Sequence, residues 1–206
     1  MKEIEFWFSI GSTYTYLSVT RLKKIEQEFE VKFSWQPFSV RKIMIEMDNV
    51  PFPPTKKVKA NYMWRDIERR ARSYGFEAKV PAPYPLKEFD LANKIAVIGM
   101  QEGWCSDYVI ATYRRWFIAA LEPGSEPNVS ESLREIDQDP ERVLELAADE
   151  TIAKAYLSQT KQAQSKRIFG SPSFIVDGEL FWGDDRLEDA VNWYLGKSLK
   201  TTAYPI

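Results

Sequence analysis

The hydroxyl groups of one predicted β-α turn are the sharpest chemical feature of the chain. The segment Ser9-Ile10-Gly11-Ser12-Thr13-Tyr14 follows an alternating apolar stretch and precedes an amphipathic one. Ligands of α/β folds bind at the carboxyl ends of strands, and a helix N-terminus there attracts negative charge. Ser12 could therefore donate a hydrogen bond to an incoming thiolate and help to lower the pKa of its thiol. The alternative is that Ser12 and Thr13 only cap the helix.

A second candidate is the proline in Phe169-Gly170-Ser171-Pro172-Ser173-Phe174. Proline cannot donate to a strand ladder, so Pro172 is expected to begin the strand that lies beside the first turn. A cis peptide bond at this position would leave the backbone of Ser171 exposed for pairing with a peptide-like ligand by strand addition. The alternative is an ordinary entry into a strand.

The counts of a few residue types exclude several kinds of site. The 206-residue chain has no histidine and one cysteine, Cys105. Ser-His-Asp and Cys-His catalysis, His-containing zinc or iron sites, thiolate metal sites and a Cys-x-x-Cys redox motif are therefore excluded. A site for a hard ion would need carboxylates, but the acidic residues between Pro127 and Glu150 lack a calcium-loop pattern, so no metal site is predicted. Cys105 is interpreted as a small buried hydrophobic residue.

The charge and hydropathy of the chain limit its partners. It has 28 basic and 30 acidic residues and a net charge of −2, so it is not a globally basic protein of the kind that binds nucleic acids, and we expect no nucleic-acid partner. The basic residues between Lys56 and Arg72 are interpreted as a solvated helix face, with an anion-binding rim as the alternative. No apolar stretch approaches the roughly 20 residues of a membrane helix, so we expect no membrane partner and a cytoplasmic location.

The two ends of the chain have legible strand and helix patterns. Apolar side chains alternate over residues 4–10 and again over 31–35, with a helix predicted from about Thr13, and this short β-α-β connection implies a parallel pair. Near the other end, residues 173–176 and 179–182 are predicted to be antiparallel strands joined by a tight turn. A helix that Asp184 or Asp185 would cap follows them.

Mostly helical patterns fill the segment between these ends, with helices predicted over about 60–74, 90–101, 107–121, from Pro140, and 149–166. The predicted fold class is therefore α/β, a thioredoxin-like fold (β-α-β … β-β-α) with a large all-helical insertion. Residues 1–38 and 166–206 would form the thioredoxin-like domain, and residues 39–165 would form the insertion domain. Redox proteins of this fold place a reactive cysteine where this chain has Ser12, so a disulfide oxidoreductase is disfavoured.

Four segments resemble those of one protein family. FWFSIGSTYTYL (residues 6–17) resembles the N-terminal motif of 2-hydroxychromene-2-carboxylate isomerases and kappa-class glutathione transferases. IFGSPSF (168–174) resembles their proline loop, and DGELFWGDDRL (177–187) resembles their closing hairpin and helix. YMWRDIER (62–69) is similar to a stretch common in the isomerase branch. The resemblance covers essentially the whole chain, and it implies a thioredoxin fold with a helical insertion.

The resemblance also implies that the cofactor is glutathione. Ser12 matches the serine beside the glutathione sulfur, and it is the predicted catalytic residue. The predicted cofactor-binding residues are Ser12, Asn49, Lys59, Ser171, Pro172, Asp184 and Asp185, with Lys59 aligned through a one-residue gap. Asp184 and Asp185 match the loop that holds the γ-glutamyl end, and a lysine suits the glycyl carboxylate.

The family's isomerase reaction is the leading functional hypothesis. The resemblance implies that a glutathione thiolate adds to a conjugated aromatic substrate, the ring opens, a bond rotates and the thiolate leaves. Trp64, Tyr84 and Trp104 could line an aromatic substrate pocket, and packing within the insertion is the alternative. The family often has Asp at Ser9 and Pro at Thr13, so the substrate could differ.

Two other functions stay open from the sequence. One is a kappa-like glutathione transferase, and the other is a non-catalytic protein that binds glutathione or a peptide. The expected partners are glutathione and a small hydrophobic or aromatic substrate, and a homodimer is expected from the resemblance and from base rates.

Overall fold

One sheet combines strands from both ends of the chain. The computed structural model describes residues 3–49 and 56–197, and within them the strands Ile4–Phe8 (β1), Phe33–Pro37 (β2), Ser173–Val176 (β3) and Glu179–Trp182 (β4) pair in the order β2-β1-β3-β4. Strand β1 is parallel to β2 and antiparallel to β3, which is antiparallel to β4. The predicted parallel pair and the predicted hairpin are both confirmed.

Helices connect and cover these strands. Helix α1 (Thr15–Phe29) joins β1 to β2, and a 3₁₀ turn (Asp184–Arg186) leads from β4 into the last described helix, α9 (Leu187–Tyr194). Between β2 and β3 lie α2 (Val40–Glu46), α3 (Lys57–Ser73), α4 (Phe89–Glu102), α5 (Cys105–Ala119), α6 (Asn128–Glu135), α7 (Pro140–Ala148) and α8 (Glu150–Ser165). The predicted helical middle and the thioredoxin-like fold class are thus confirmed.

Strand β1 is the centre of the hydrophobic core. Phe6 is 0% exposed and its neighbour Trp7 is 1% exposed, although the two side chains point to opposite faces of the sheet. Helix α9 packs against β1 and β3, while α4 and α8 pack against β2. One continuous cluster of buried residues runs through the sheet and the intervening helices, so the predicted domain boundaries at residues 38/39 and 165/166 stay a prediction.

The helix expected from Pro140 has a side-chain cap, whereas the predicted cap before α9 is wrong and the capping alternative for α1 is not found. The Asp139 side chain accepts a hydrogen bond from the Glu141 N–H at 3.0 Å and caps α7. In contrast, neither α1 nor the 3₁₀ turn before α9 has a side-chain cap. The hydroxyls of Ser12 and Thr13 and the carboxylate of Asp184 bond to distant elements instead.

Two kinds of feature are absent from residues 3–49 and 56–197. No helix there is both long enough and apolar enough to cross a membrane. In the same ranges, no group of three or more Asp, Glu or Cys side chains is arranged to hold a metal ion.

Candidate active site

Two buried polar side chains hold the turn between β1 and α1. Asn93 of α4 accepts a hydrogen bond from the Ile10 N–H and donates one to the Ile10 carbonyl, each at 2.8 Å. The Tyr113 hydroxyl of α5 lies 3.1 Å from the Ser9 carbonyl oxygen and 3.0 Å from that of Ser12. Because buried backbone groups must be paired, these contacts satisfy the turn and fix its path.

Glycine is required at the centre of this turn. Gly11 has a φ of +121°, a region that side-chain-bearing residues rarely adopt. A Cβ at this position would also lie 2.4 Å from the ring of Phe89. The turn therefore passes close to α4 and can do so only without a side chain.

The two candidate segments of the sequence meet at Ser12 and Ser171. The Ser12 hydroxyl donates a hydrogen bond to the Ser171 carbonyl at 2.6 Å. The Ser171 hydroxyl accepts one from the Ser9 N–H at 2.9 Å and lies 2.9 Å from the Thr15 hydroxyl. The Ser171–Pro172 peptide bond is cis, which the sequence had left open. Ser12 therefore contacts the proline loop and does not cap its own helix.

The beginning of α1 gives this junction a positive potential. The first N–H groups of a helix have no partners within it and carry a partial positive charge. The first turn of α1 contains no acidic side chain that would neutralise this charge. The half-buried Ser12 hydroxyl precedes it by three residues, so an anion beside Ser12 would also meet the helix terminus.

Helix α3 contacts the two residues that follow Ser12. The Thr13 hydroxyl donates to the Met63 sulfur at 3.0 Å, and the Tyr14 hydroxyl donates to an Asp66 carboxylate oxygen at 3.0 Å. Burial raises the pKa of Tyr14, and the hydrogen bond to Asp66 raises it further, so Tyr14 stays protonated. The position of α3 and the geometry of the turn are therefore linked.

Asp184, predicted to bind glutathione and to cap a helix, is surrounded by protein donors. Its side chain is 2% exposed, and one carboxylate oxygen accepts from Arg21 at 2.7 Å and from Ser18 at 3.1 Å. The other oxygen accepts from Arg70 at 2.8 Å and from Tyr74 at 3.2 Å. Asp184 turns inward because two arginines and two hydroxyl groups there satisfy both of its oxygens, and hydrogen bonds between two ionised groups are strong.

Asp185 has a different environment from its neighbour. Its side chain is 51% exposed and pairs with Arg186 at 3.0 Å. Exposed pairs of this kind contribute little to stability and exchange partners readily. Of the two predicted carboxylates, Asp185 is the one that a ligand could reach.

Asn49 and Lys59 flank a segment that lies outside the described residues, 50–55. Both residues are exposed, Asn49 after the end of α2 and Lys59 in the first turn of α3. The Asn49 N–H donates to the carbonyl of Met44 in α2 at 2.8 Å, so the backbone of Asn49 is held against the end of this helix. Their predicted contacts with glutathione stay a prediction.

Trp64 and Tyr84 of the predicted substrate pocket lie together. Their ring centroids are 6.0 Å apart in an edge-to-face arrangement, and Trp64 also lies 6.4 Å from Phe117. Phe117 stacks on Tyr16 of α1 at 4.2 Å. Burial raises the pKa of Tyr84. This aromatic pair is thus connected by packed rings to the helix that follows Ser12.

Trp104 does not join the other two pocket residues. It immediately precedes α5, about 20 Å along the helix axis from Phe117, which contacts Trp64. Its indole N–H donates to Glu102 at 2.8 Å, and its ring packs edge-to-face on Tyr108. The structure therefore supports the packing alternative for Trp104.

Four further residues that shape this region were not identified from the sequence: Arg21, Arg70, Asn93 and Tyr113. A sequence signal existed for Asn93, because it interrupts the apolar stripe of α4, and in the structure it is 0% exposed. Buried polar residues of this kind are usually held by hydrogen bonds. Arg70 belongs to the basic stretch interpreted as a solvated helix face, but its side chain is 28% exposed and donates to Asp184. No comparable sequence signal pointed to Arg21 or Tyr113.

Cys105 is buried at the start of α5, as expected. It is 5% exposed, and burial raises the pKa of its thiol well above the ordinary value. Since a reactive thiol needs access and thiolate character, Cys105 is unsuited to redox chemistry.

Comparison with known proteins gives matches over nearly the whole chain. A family model described as a DSBA-like thioredoxin domain matches residues 3–194. The chain is 24% identical to a 2-hydroxychromene-2-carboxylate isomerase of Sphingobium xenophagum, covering 91% of this chain and 95% of the relative. It is 21% identical to glutathione S-transferase kappa 1 of Caenorhabditis elegans, covering 90% and 88%. The solved structure of a selenomethionine 2-hydroxychromene-2-carboxylate isomerase, 23% identical, has the same fold with a TM-score of 0.83 over 94% of both chains.

Proposed function

The chain belongs to the DSBA-like thioredoxin domain family, and from this premise we propose that it is a glutathione-dependent isomerase similar to 2-hydroxychromene-2-carboxylate isomerase. The observation that carries the proposal is the hydrogen bond between Ser12 and Ser171 at 2.6 Å. It puts a hydroxyl group, and not a thiol, beside the beginning of α1. A hydroxyl cannot exchange disulfides, but it can donate a hydrogen bond to the thiolate of an external cofactor.

The donor set around Ser12 fits the chemistry of glutathione. The Ser12 hydroxyl and the first N–H groups of α1 suit a thiolate, and the backbone beside Pro172 suits a peptide-like segment. The exposed carboxylate of Asp185 suits an ammonium group, and Lys59 with Asn49 suits a carboxylate. Asp184 fits less well, because both of its oxygens already accept hydrogen bonds from protein donors.

The role of Ser12 in the proposed reaction follows from its hydroxyl group, which has one proton to donate in a hydrogen bond. When bound, glutathione would supply a nucleophilic thiolate for reversible addition to a conjugated carbon of the substrate. Ser12 would rotate its hydroxyl from the Ser171 carbonyl toward the sulfur, and the beginning of α1 would stabilise the remaining negative charge. Trp64 and Tyr84 would hold the aromatic ring of the substrate by edge and face contacts.

Titration calorimetry tests the cofactor, with glutathione and S-methylglutathione as probes. We expect wild-type protein to bind glutathione with a dissociation constant between about 1 μM and 1 mM, in the usual range for small-molecule sites of enzymes. S-methylglutathione has no thiol to ionise, so it should bind to the wild type less tightly than glutathione does. In Ser12→Ala, the two ligands should bind with about equal affinity. Absence of glutathione binding at millimolar concentration would contradict the proposal.

Product analysis tests the reaction. Incubation with 2-hydroxychromene-2-carboxylate and catalytic glutathione should give an isomer of equal mass, with all glutathione recovered. A kappa-like transferase is the second candidate, supported by the similarity to the Caenorhabditis elegans protein, and it would consume one glutathione per product. Glutathione binding without any turnover would favour the non-catalytic alternative.

A further inference from the structure

The environment of Asp184 indicates a role other than ligand binding. We propose that Asp184 is a positioning residue that holds α3 against the turn containing Ser12 through Arg70. The proposal makes no use of contact between Asp184 and glutathione. Its structural test needs no ligand, and only its second test depends on the proposed function.

The carboxylate of Asp184 joins three segments that are distant in the sequence. Ser18 and Arg21, on one of its oxygens, belong to α1. Arg70 belongs to α3, and Tyr74 is the first residue after the end of this helix. Both donate to the other carboxylate oxygen of Asp184. Asp184 itself belongs to the 3₁₀ turn after β4. A single side chain thus connects the first helix, the third helix and the end of the sheet.

Charge balance makes this connection strong. Arg21 also pairs with Glu188, so two arginines and two carboxylates form one neutral group. The Arg21 side chain is 10% exposed and that of Arg70 is 28% exposed, so both are poorly solvated. Burial lowers the pKa of Arg70, but the bonds to Asp184 outweigh it and the pKa is raised overall. Removing the buried carboxylate would leave Arg70 without its anionic partner, whereas Arg21 would keep Glu188.

Helical spacing transmits the position of Arg70 to the active-site turn. Arg70 lies four residues after Asp66 and seven after Met63, so the three side chains share one face of α3. Asp66 accepts from Tyr14, and Met63 accepts from Thr13. Fixing Arg70 therefore fixes the two acceptors that hold the residues next to Ser12.

A ligand-binding role predicts a different outcome for Asp184. An ammonium group would have to displace an arginine from a carboxylate that is 2% exposed. Removing Arg70 would then leave Tyr74 as the remaining donor to that carboxylate oxygen, free it from a cation and tighten the binding of glutathione. In the positioning role, the same substitution loosens α3 and leaves the affinity nearly unchanged.

Arg70→Gln is the informative variant, because Asp184 keeps Arg21 and Ser18 as partners and the fold is retained. Arg72→Gln is the matched control, since Arg72 pairs with Glu68 on the exposed face of the same helix. Hydrogen exchange followed by mass spectrometry is measured without ligand. We expect exchange in residues 13–17 and 57–66 to become at least about tenfold faster in Arg70→Gln, as in local opening, and to stay unchanged in Arg72→Gln. Unchanged exchange in residues 13–17, or an equal increase along the whole chain, would overturn the proposal.

A spectroscopic readout separates positioning from simple loss of stability. The absorbance of bound glutathione thiolate at about 240 nm is titrated against pH for both variants. If Arg70 positions the turn, its loss should raise the apparent pKa of the bound thiol by about half a unit or more, with a dissociation constant within about threefold of wild type. Tighter glutathione binding in Arg70→Gln would refute the positioning role. If wild-type protein binds no glutathione, the proposed function fails, and hydrogen exchange alone decides the role of Asp184.

Discussion

The hydroxyl of Ser12 lies 2.6 Å from the carbonyl oxygen of Ser171, although 159 positions separate the two residues in the chain. The bond joins the turn after β1 to the loop before β3, and strands β1 and β3 pair directly in the sheet. Asn93 and Tyr113 hold the same turn from the intervening helices. The candidate active site is therefore assembled from three separate parts of the sequence.

Removal of the Ser12 hydroxyl should slow turnover without removing the binding site. For Ser12→Ala we expect the turnover number to fall about 100-fold, as when one preorganised donor to a developing charge is lost. The dissociation constant for S-methylglutathione should stay within about threefold, since no thiolate is involved. Thr20→Ala, which removes an exposed hydroxyl from the following helix α1, serves as the control. Wild-type turnover in Ser12→Ala would exclude the role given to Ser12.

Removal of the Asn93 side chain should destabilise the protein. Asn93→Ala leaves the buried N–H and carbonyl of Ile10 without partners, so we expect a loss of about 2–4 kcal/mol in the free energy of unfolding. The control is Asn61→Ala at an exposed position of α3, where the change should stay below about 0.5 kcal/mol. Urea unfolding measures both, and a loss below about 1 kcal/mol in Asn93→Ala would contradict the structure.

Stability should fall steeply in alkaline solution because the fold prefers neutral tyrosines. Burial raises the pKa of Tyr16 from 10.0 to about 12, and it also raises the pKa values of Tyr108 and Tyr113. The unfolded chain ionises first, so the contribution of Tyr16 is complete below pH 10 and is lost as the pH rises from 10 to 12. The loss approaches about 1.4 kcal/mol per pH unit for each such tyrosine.

The variant Tyr16→Phe tests the pH dependence directly. The free energy of unfolding, measured at intervals between pH 10 and 12, should decline less steeply in this variant than in wild type. Tyr62→Phe is the control, because Tyr62 is 60% exposed. Equal slopes for Tyr16→Phe and wild type would show that Tyr16 does not resist ionisation in the folded state.

Substitutions at Trp64 and Trp104 should separate substrate contact from packing. Trp64→Leu removes one ring of the pair with Tyr84, and we expect KM for the aromatic substrate to rise about tenfold. Trp104→Leu removes an indole group at the beginning of α5, where it packs on Tyr108. This variant should therefore have lower stability, with KM within about twofold of the wild-type value. Steady-state kinetics with chemical denaturation gives both values. A larger KM change in Trp104→Leu would reverse the assignment.

Much of the fold could be predicted because its signals are local. The alternation over residues 4–10 indicates β1, and the tight turn at Asp177-Gly178 indicates the hairpin of β3 and β4. Helical periodicity located α3, α4, α5 and α8 to within a few residues of their ends. These patterns depend on side-chain spacing and turn geometry, which a single sequence contains.

The candidate site could be predicted only in part. The sequence alone determined that Ser12 stands at a β-α turn without histidine or a second cysteine, so that hydrogen-bond donation is its available chemistry. Tertiary structure decided that Asp184 is surrounded by Arg21 and Arg70, and that Trp104 packs away from Trp64. The physical reason is that the accessibility of a carboxylate or a ring depends on which distant donors and surfaces meet it, and these contacts exist only after the chain has folded.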